Sequence, residues 1–330
     1  MIVTAIACKK EKENESNMQA VKSDLYQPAP AGAILDMEID NNNHFYFAVS
    51  SFYGGNSYLY RKMTENSEFE VIDNNFVETS NMIFDKNNNL WAITSYGLIL
   101  RKNNKCDTII KLDYYKGEGS FSCIAVDKNN NVWVGGWLTG LYKIDKFLNI
   151  TKYTTENSDL KSNNIQRMYI DESNAVWISL DSPNSANEIL EITGKEWRVF
   201  GPNNTKYNSI WSLVVDKNNN LWVGTYWNDS NESLIKFDGT KWETVTPMND
   251  KKEVINGTVS CLFSDSNRIY VAIQSKEEPF SVQLLTFDGV KWNKIYGLPE
   301  SDVFIGELKT DTYKQTVWIR TSEGIYKLKI

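Results

Sequence analysis

One seven-residue stretch recurs along the chain and constrains its fold more than any other feature. Residues 127–133 read Asp-Lys-Asn-Asn-Asn-Val-Trp, residues 85–91 and 216–222 are near copies, and residues 171–177 are a looser one. Degenerate versions span residues 40–46, 265–270 and 311–318. The leading aspartates are 45, 42, 44, 45, 49 and 46 residues apart. A period in the forties is typical of a propeller or a solenoid array.

The third unit shows what each repeat contains. Residues 121–126 form an apolar run that ends at Asp127, and the Lys-Asn-Asn-Asn run predicts a turn because Asn tolerates left-handed backbone. Residues 132–134, 141–144 and 150–153 predict three further strands, separated by polar turns. Helical periodicity is absent. The sequence therefore predicts an all-β fold, a single seven-bladed β-propeller of four-stranded antiparallel blades.

The same dissection locates the first strand of every unit and leaves one blade incomplete. The predicted first strands are residues 34–39, 81–84, 121–126, 165–170, 210–215, 259–263 and 303–308. The seventh unit ends with its third strand, residues 325–330, and an unpaired sheet edge is a liability. We expect residues 23–27 to supply the missing strand and close the ring, so that residues 22–330 form the propeller.

The N-terminus resembles the end of a bacterial lipoprotein signal. A short apolar run with small residues precedes Cys8, and a charged, lysine-rich stretch follows. This interpretation makes residues 1–21 a signal remnant and charged tether, with Cys8 as the lipid-bearing residue of an exported protein at the outer membrane or in the periplasm. The alternative is a chance match. Membrane association is expected only through that anchor, since no other stretch approaches the ~20 apolar residues of a membrane span.

Charge and residue inventory exclude several classes of function. The net charge is −7 and the lysines are scattered among carboxylates, so a nucleic-acid partner is not expected. The four cysteines show no CxxC pairing, and Cys123 and Cys261 are interpreted as buried thiols, although a disulfide stays open. His44 is the only histidine and follows the first aspartate turn, which rules out histidine-based catalysis at the opposite face. The Asp-Asn runs lack the downstream glutamate of calcium loops, so neither a metal nor a cofactor is expected.

The repeat resembles the two-component regulator propeller repeat. Val132-Trp-Val-Gly-Gly with Gly140-Leu-Tyr-Lys-Ile, and Leu221-Trp-Val-Gly-Thr, carry the resemblance best, and it extends over residues 30–330. Members of that family occur in the extracytoplasmic sensor halves of bacterial hybrid two-component proteins, many of which sense glycan fragments. This sequence departs from those sensors, because it has one ring of blades and no kinase segment, and we therefore expect a free-standing, lipoprotein-like propeller.

Aromatic residues that break the repeat mark a candidate ligand face. Propeller ligands commonly bind the face formed by the loops between second and third strands and by the loops into each first strand. Residue 211 is a tryptophan, whereas the equivalent position of the other units holds a smaller residue. The candidate stacking residues for a sugar ring are Trp211, Trp137, Trp227, Tyr96 and Tyr53. Phe76, Tyr114 and Phe304 are expected instead to pack under their own loops, and the recurring tryptophans to pack blade against blade.

A second set of residues lies four positions before each aspartate and is predicted to face the central channel. Its members are Asp36, Asn81, Cys123, Arg167, Ser212, Cys261 and Glu307. Arg167 could hold a hydroxyl-rich or anionic group. Asp36 and Glu307 belong to adjacent units across the closure, where two close carboxylates shift one pKa upward.

These observations leave three functions open. The first is an exported binding module that recognises a carbohydrate or small polar ligand on the aromatic face, with Arg167 supplying polar contacts. The second is a polysaccharide lyase or glycosidase that uses Asp36 and Glu307 as an acid/base pair. The third is a protein-interaction scaffold associated with a two-component or nutrient-uptake system. The first is favoured, and catalysis is not expected.

Overall fold

Seven four-stranded antiparallel sheets surround a central axis. The computed structural model describes residues 19–22, 33–50, 57–76, 79–181, 188–200, 209–226, 232–275, 281–298, 305–311, 313, 315–322 and 324–329. The only helix within these ranges is a 3-10 turn at Tyr114–Lys116. The predicted all-β, seven-bladed fold is confirmed.

The first strands of successive blades contact one another and line the channel. They are β2 (Ile34–Ile39), β6 (Thr79–Phe84), β10 (Ser120–Val126), β14 (Ile165–Ile170), β18 (Ile210–Val215), β22 (Gly257–Ser264) and β26 (Ile305–Thr310). The second strands follow the aspartate turns. They are β3 (Phe45–Val49), β7 (Leu90–Thr94), β11 (Val132–Trp137), β15 (Val176–Leu180), β19 (Leu221–Thr225), β23 (Ile269–Ser275) and β27 (Thr316–Thr321).

The remaining strands complete each sheet outwards. The third strands are β4 (Ser57–Lys62), β8 (Gly97–Lys102), β12 (Gly140–Ile144), β16 (Glu188–Thr193), β20 (Leu234–Phe237), β24 (Val282–Phe287) and β28 (Gly324–Lys329). The outer strands are β5 (Glu70–Phe76), β9 (Lys105–Lys111), β13 (Ile150–Tyr153), β17 (Glu196–Phe200), β21 (Trp242–Thr244), β25 (Trp292–Lys294) and β1 (Val21–Lys22). Because strands alternate in direction, all aspartate turns lie on one face, the lower face. The second-to-third connections and the links into each first strand lie on the other, the upper face.

The ring is completed by β1, which pairs antiparallel with β28 as the outer strand of the seventh blade. The pairing residues are Val21 and Lys22, whereas the predicted segment, residues 23–27, lies outside the described part of the chain. Gln19 bridges to Tyr296, and Ala20 is buried against the sixth and seventh blades. The propeller therefore includes residues 19–21, which the sequence had assigned to the tether.

The hydrophobic core is divided into seven clusters, one between each pair of neighbouring blades. The recurring aromatic residue of each unit is buried in one of them: Tyr46, Trp91, Trp133, Trp177, Trp222, Tyr270 and Trp318. The predicted packing role of these residues is confirmed, since sheets packed face to face need large side chains between them.

Candidate functional site

The aspartate of each repeat is a structural organiser of its turn. One oxygen of Asp127 accepts the backbone N–H groups of Asn129 and Asn131 at 2.9 and 2.8 Å. The other accepts the Asn131 amide at 2.7 Å and the Trp133 indole N–H at 3.0 Å. The same indole–carboxylate bond joins the tryptophan and aspartate of three other blades, at 2.8–3.2 Å. This arrangement explains the fixed spacing between Asp and Trp.

The asparagines of the repeat join neighbouring blades. Asn88, Asn130 and Asn174 adopt positive φ angles of 62°, 63° and 72°, a conformation that Asn tolerates better than most residues. Their side-chain oxygens accept backbone N–H groups of the preceding blade, from Asn41 at 3.0 Å, from Lys86 at 2.7 Å and from Lys128 at 2.5 Å. We call these three bonds the asparagine stitches. They run from the first blade to the fourth.

A β-bulge interrupts the first strand of every blade at the position of Trp211. The pairing of β18 with β19 shifts between Ile210 and Ser212, and the other six first strands shift at the equivalent place. A bulge redirects side chains and increases local twist. Trp211 is thus the one tryptophan at a position that is structurally special in all seven blades.

The residues that follow these bulges lie around the channel, and charges in one blade act on groups in others. The charge of Arg167 acts on the thiols of both Cys123 and Cys261, which belong to the third and sixth blades. Burial raises the pKa of Cys123 to about 11 and that of Cys261 to about 12. Both are free thiols, as is the exposed Cys106.

Arg167 is an uncompensated cation in this channel. Its guanidinium donates to the backbone carbonyl oxygens of Trp211 and Gln166, at 2.5 and 2.9 Å. It forms no ion pair with any carboxylate of the described residues, and burial lowers its pKa. A charged donor that is satisfied only by backbone carbonyls keeps the capacity to bind an acceptor group of a ligand.

Asp36 and Glu307 belong to a buried charge network at the closure of the ring. Burial raises the pKa of Asp36 well above its ordinary value, and the neighbouring charge of Glu307 raises it further. Burial alone would raise the pKa of Glu307 too, but the charges of Lys309 and Arg320 bring it below the ordinary value. Lys309 also bonds Glu38 at 2.5 Å. We call these five residues the closure network.

The closure network is neutral when Asp36 is protonated. Two carboxylates, Glu38 and Glu307, then face two cations, Lys309 and Arg320, at 2.5–3.3 Å. Asp36 accepts the backbone N–H of Met82 at 2.5 Å and is hydrogen-bonded to Glu307. Every member is thus engaged by another, and Asp36 is only 2% exposed. This enclosure favours a structural role for the pair over the acid/base role considered from sequence.

The upper face presents most of the exposed aromatic side chains. Eight aromatic residues of the described chain are exposed, and six of them lie on this face: Tyr96, Tyr114, Tyr115, Trp137, Tyr226 and Tyr296. Trp137 is 44% exposed at the end of β11, and Tyr96 is 64% exposed between β7 and β8. Trp211 is half-buried, and its ring centroid lies 6.0 Å from that of Tyr226.

The structure sorts the remaining aromatic candidates. Phe76 is buried, as expected. The expectation for Tyr114 is wrong, because it is 63% exposed on the 3-10 turn. Tyr53, Trp227 and Phe304 lie outside the described residues, as does Cys8. Tyr226 was not among the candidates from sequence, although it directly follows a second strand, which is the same signal that identified Trp227.

The lower face holds His44, and its imidazole Nδ1 lies 3.0 Å from the Asp40 carboxylate. It belongs to the first aspartate turn, away from the aromatic face. Over the described ranges, no cluster of His, Cys, Asp and Glu has the arrangement of a metal site. Within the same ranges, no helix is long and apolar enough to cross a membrane.

These features define a seven-bladed propeller with an aromatic upper face and a charged channel. Residues 206–227, in the fifth blade, match the family described as two component regulator propeller. The chain is thus a seven-bladed propeller that carries a two-component regulator propeller repeat. No curated protein sequence matches it significantly.

Solved structures share this fold at low sequence identity. The extracellular domain of a protein described as a hybrid two component system of B. thetaiotaomicron is 14% identical, with a TM-score of 0.66. The similarity covers 94% of this chain but 39% of that one, so this chain spans about two fifths of its length. Virginiamycin B lyase from Staphylococcus aureus is 10% identical over 95% of this chain and 99% of the lyase, with a TM-score of 0.66. YCF48, in a structure with a D1 peptide, is 14% identical over 96% of each chain, with a TM-score of 0.63. These identities show a common fold alone.

Proposed function

We propose that the protein is a binding module whose upper face recognises a carbohydrate. The observation that carries this proposal is the concentration of exposed aromatic residues on one face, six of eight in the described chain. Exposed aromatic clusters are uncommon on soluble proteins unless they serve an interaction. Sugar rings present apolar C–H faces that stack on Trp and Tyr, and hydroxyl edges that accept and donate hydrogen bonds.

The proposed site combines stacking residues with a polar anchor. Trp137 and Tyr96 project from neighbouring blades, and the Trp211–Tyr226 pair lies in the fifth blade. Arg167 lies in the fourth blade between them and supplies hydrogen-bond donors from the channel. The hydrogen bond from its guanidinium to the backbone carbonyl oxygen of Trp211 orients the side chain. Trp227 and Tyr53 belong to this proposal on sequence position alone.

A glycan array on the propeller tests the proposal. We expect a subset of glycans to bind, and the substitutions Trp137→Ala and Tyr96→Ala each to weaken that binding about ten-fold, the loss of roughly one stacking contact. Phe147→Ala, an exposed aromatic residue of the lower face, is the matched control and should leave binding unchanged. An array without binders, or equal losses in all three variants, would contradict the proposal.

A protein partner on the same face is the second candidate. Leu138 is 54% exposed beside Trp137, and an exposed apolar patch of leucine and tryptophan is typical of a protein interface. Leu138→Lys separates the two: it should abolish binding of a protein encoded beside this one in a two-component or uptake system, yet leave stacking of a glycan intact. Unchanged binding of such a protein would reject this candidate.

We further propose that the protein works outside the cytoplasm, held to the envelope through a lipid on Cys8. The support is the lipoprotein-like sequence before Cys8 and the fold shared with an extracellular domain. Labelling cells with an alkynyl fatty acid should mark the native protein and not its Cys8→Ala variant. Absence of the label from both, with the protein recovered in the cytoplasm, would refute this location.

A further inference from the structure

The lower end of the channel opens into a cavity of about 590 Å³ where four first strands end. Its lining comes from the fourth to seventh blades and includes Tyr169, Lys217, Phe263, Arg268 and Thr310. Volumes of this size are typical of sites for small organic molecules. The cavity lies at the opposite end of the channel from the proposed carbohydrate face.

The cavity lies beyond the fourth blade, where the asparagine stitches end. In the sixth blade the Asp-to-aromatic spacing is five residues rather than six, and Arg268 occupies the place of the stitch asparagine. No residue of that turn has a positive φ angle, unlike the turns that contain the stitch asparagines. The Lys217 ammonium instead bonds the side-chain oxygen of Asn267 at 3.3 Å. Residues 264–268 of this shortened turn line the cavity together with Lys217 of the fifth blade.

Two aromatic side chains of the first strands lie beside this opening. Two positions before the aspartate, the other blades carry Glu38, Ile83, Ala125, Val214 and Lys309, whereas the fourth and sixth carry Tyr169 and Phe263. Both rings are half-buried and line the cavity. Burial raises the pKa of Tyr169 to about 12, and its hydroxyl makes no hydrogen bond to any described residue. It is therefore a neutral donor that faces the cavity.

The charged groups at the opening leave one positive charge without a carboxylate. Glu172 is paired with Lys128 at 3.3 Å, and Arg268 with Asp265 at 3.6 Å. Lys217 forms no ion pair within the described ranges. A ligand carboxylate would complete this arrangement, with an ammonium and a phenol as donors and aromatic rings for its apolar body.

From these observations we propose that the lower cavity binds a small organic anion consisting of a carboxylate on an aromatic or apolar body. The three deviations from the repeat, at the stitch position and at two first-strand positions, converge on this one cavity. Arg268, held by Asp265, forms the wall of the carboxylate end, and Tyr169 and Phe263 flank the apolar end. Binding here is independent of the upper face.

Calorimetric titration with benzoate, and with benzamide as its neutral isostere, tests the proposal on the whole chain. We expect benzoate to bind with a dissociation constant on the order of 1 mM, a normal efficiency for a ligand of about nine heavy atoms, and benzamide about ten-fold more weakly. Lys217→Gln should reduce benzoate affinity about five-fold and leave benzamide unaffected.

Lys195→Gln is the control, because it removes an exposed lysine of the same face outside the cavity. It should leave benzoate binding unchanged. Phe263→Leu should weaken both probes, since it removes the shared aromatic wall. The proposal is overturned if benzoate fails to bind, if both probes bind equally, or if the two lysine variants behave alike. Lys217 is exposed, so its variant is expected to fold, which far-UV circular dichroism checks.

Discussion

Neutralising Asp36 should leave the propeller intact, whereas neutralising its partner Glu307 should destabilise it strongly. In Asp36→Asn the amide oxygen can accept the Met82 N–H and the amide nitrogen can donate to Glu307, as the protonated acid does. Glu307→Gln instead removes one of two negative charges that balance Lys309 and Arg320. Two isosteric changes in one hydrogen-bonded pair should therefore differ strongly in their effect on stability.

The magnitudes follow from the two environments. Breaking a buried charge pair costs roughly 3–5 kcal/mol, and Glu307 contacts two cations, so its loss belongs at the upper end of that range. Asp36→Asn retains both hydrogen bonds and should change stability by less than about 1 kcal/mol at mildly acidic pH.

The pH dependence has a definite sign. Because the folded pKa of Asp36 is raised, its contribution is complete below the unfolded pKa near 4 and is lost as pH rises through the folded pKa. Between the unfolded and the folded pKa, Asp36→Asn should gain on the native protein by up to about 1.4 kcal/mol per pH unit, and above the folded pKa the difference should stay constant. Glu307, with a lowered folded pKa, contributes above pH ~4 and loses that contribution on acidification.

Urea unfolding of the native protein and both variants from acidic to alkaline pH measures these effects. Equal destabilisation by the two variants at every pH would refute the assignment of the proton to Asp36. A pH-independent difference between Asp36→Asn and the native protein would refute the raised pKa.

Two further predictions concern the repeat itself. Asn130→Ala removes an asparagine stitch and should cost about 1 kcal/mol more stability than Asn219→Ala. Both asparagines have positive φ angles, but Asn219 bonds no neighbouring blade among the described residues. Equal losses by urea unfolding would show that the stitch does not stabilise the ring. Trp133→Phe leaves Asp127 without its indole donor and should cost about 1–3 kcal/mol of stability. Trp318→Phe should cost less, because the Trp318 indole N–H has no hydrogen-bond partner in the described chain. Thermal unfolding in which Trp318→Phe is the more damaging change would contradict this prediction.

The blade count and the strand order follow from the sequence because each unit repeats the same pattern of turn, packing and strand residues. The Asp-Asn turn, the recurring tryptophan and the alternating apolar strands agree with one another in every repeat. The position of Trp211 as an exception was also visible in sequence. Its structural meaning was not, because a bulge depends on the pairing register of two strands, and residues 210 and 212 alone do not reveal it.

The closure network was predicted in part. The proximity of Asp36 and Glu307 follows from their equivalent positions in adjacent blades. The cations were missed, although Arg320 pairs directly with Glu307 across two strands and Lys309 lies two residues further on. One position per blade leaves out the adjacent strand, and so predicts an acid/base pair where the structure has compensated charges.

The lower cavity could not be anticipated from single residues. Its lining combines one shortened turn with two aromatic residues in different blades, Tyr169 and Phe263, and only the folded arrangement of the blades brings them together. The length of the sixth turn was visible in sequence as a spacing of five instead of six. A departure from the repeat shows where a site could lie, whereas the chemistry of that site depends on side chains from neighbouring blades that only the structure brings together.

Hydrogen–deuterium exchange with the glycan that binds best shows which face of the propeller contacts the ligand. Recognition on the upper face predicts protection in the connections that contain Tyr96, Trp137 and Tyr226, and none in the aspartate turns of the lower face. Protection confined to the aspartate turns, or distributed equally over both faces, would contradict it.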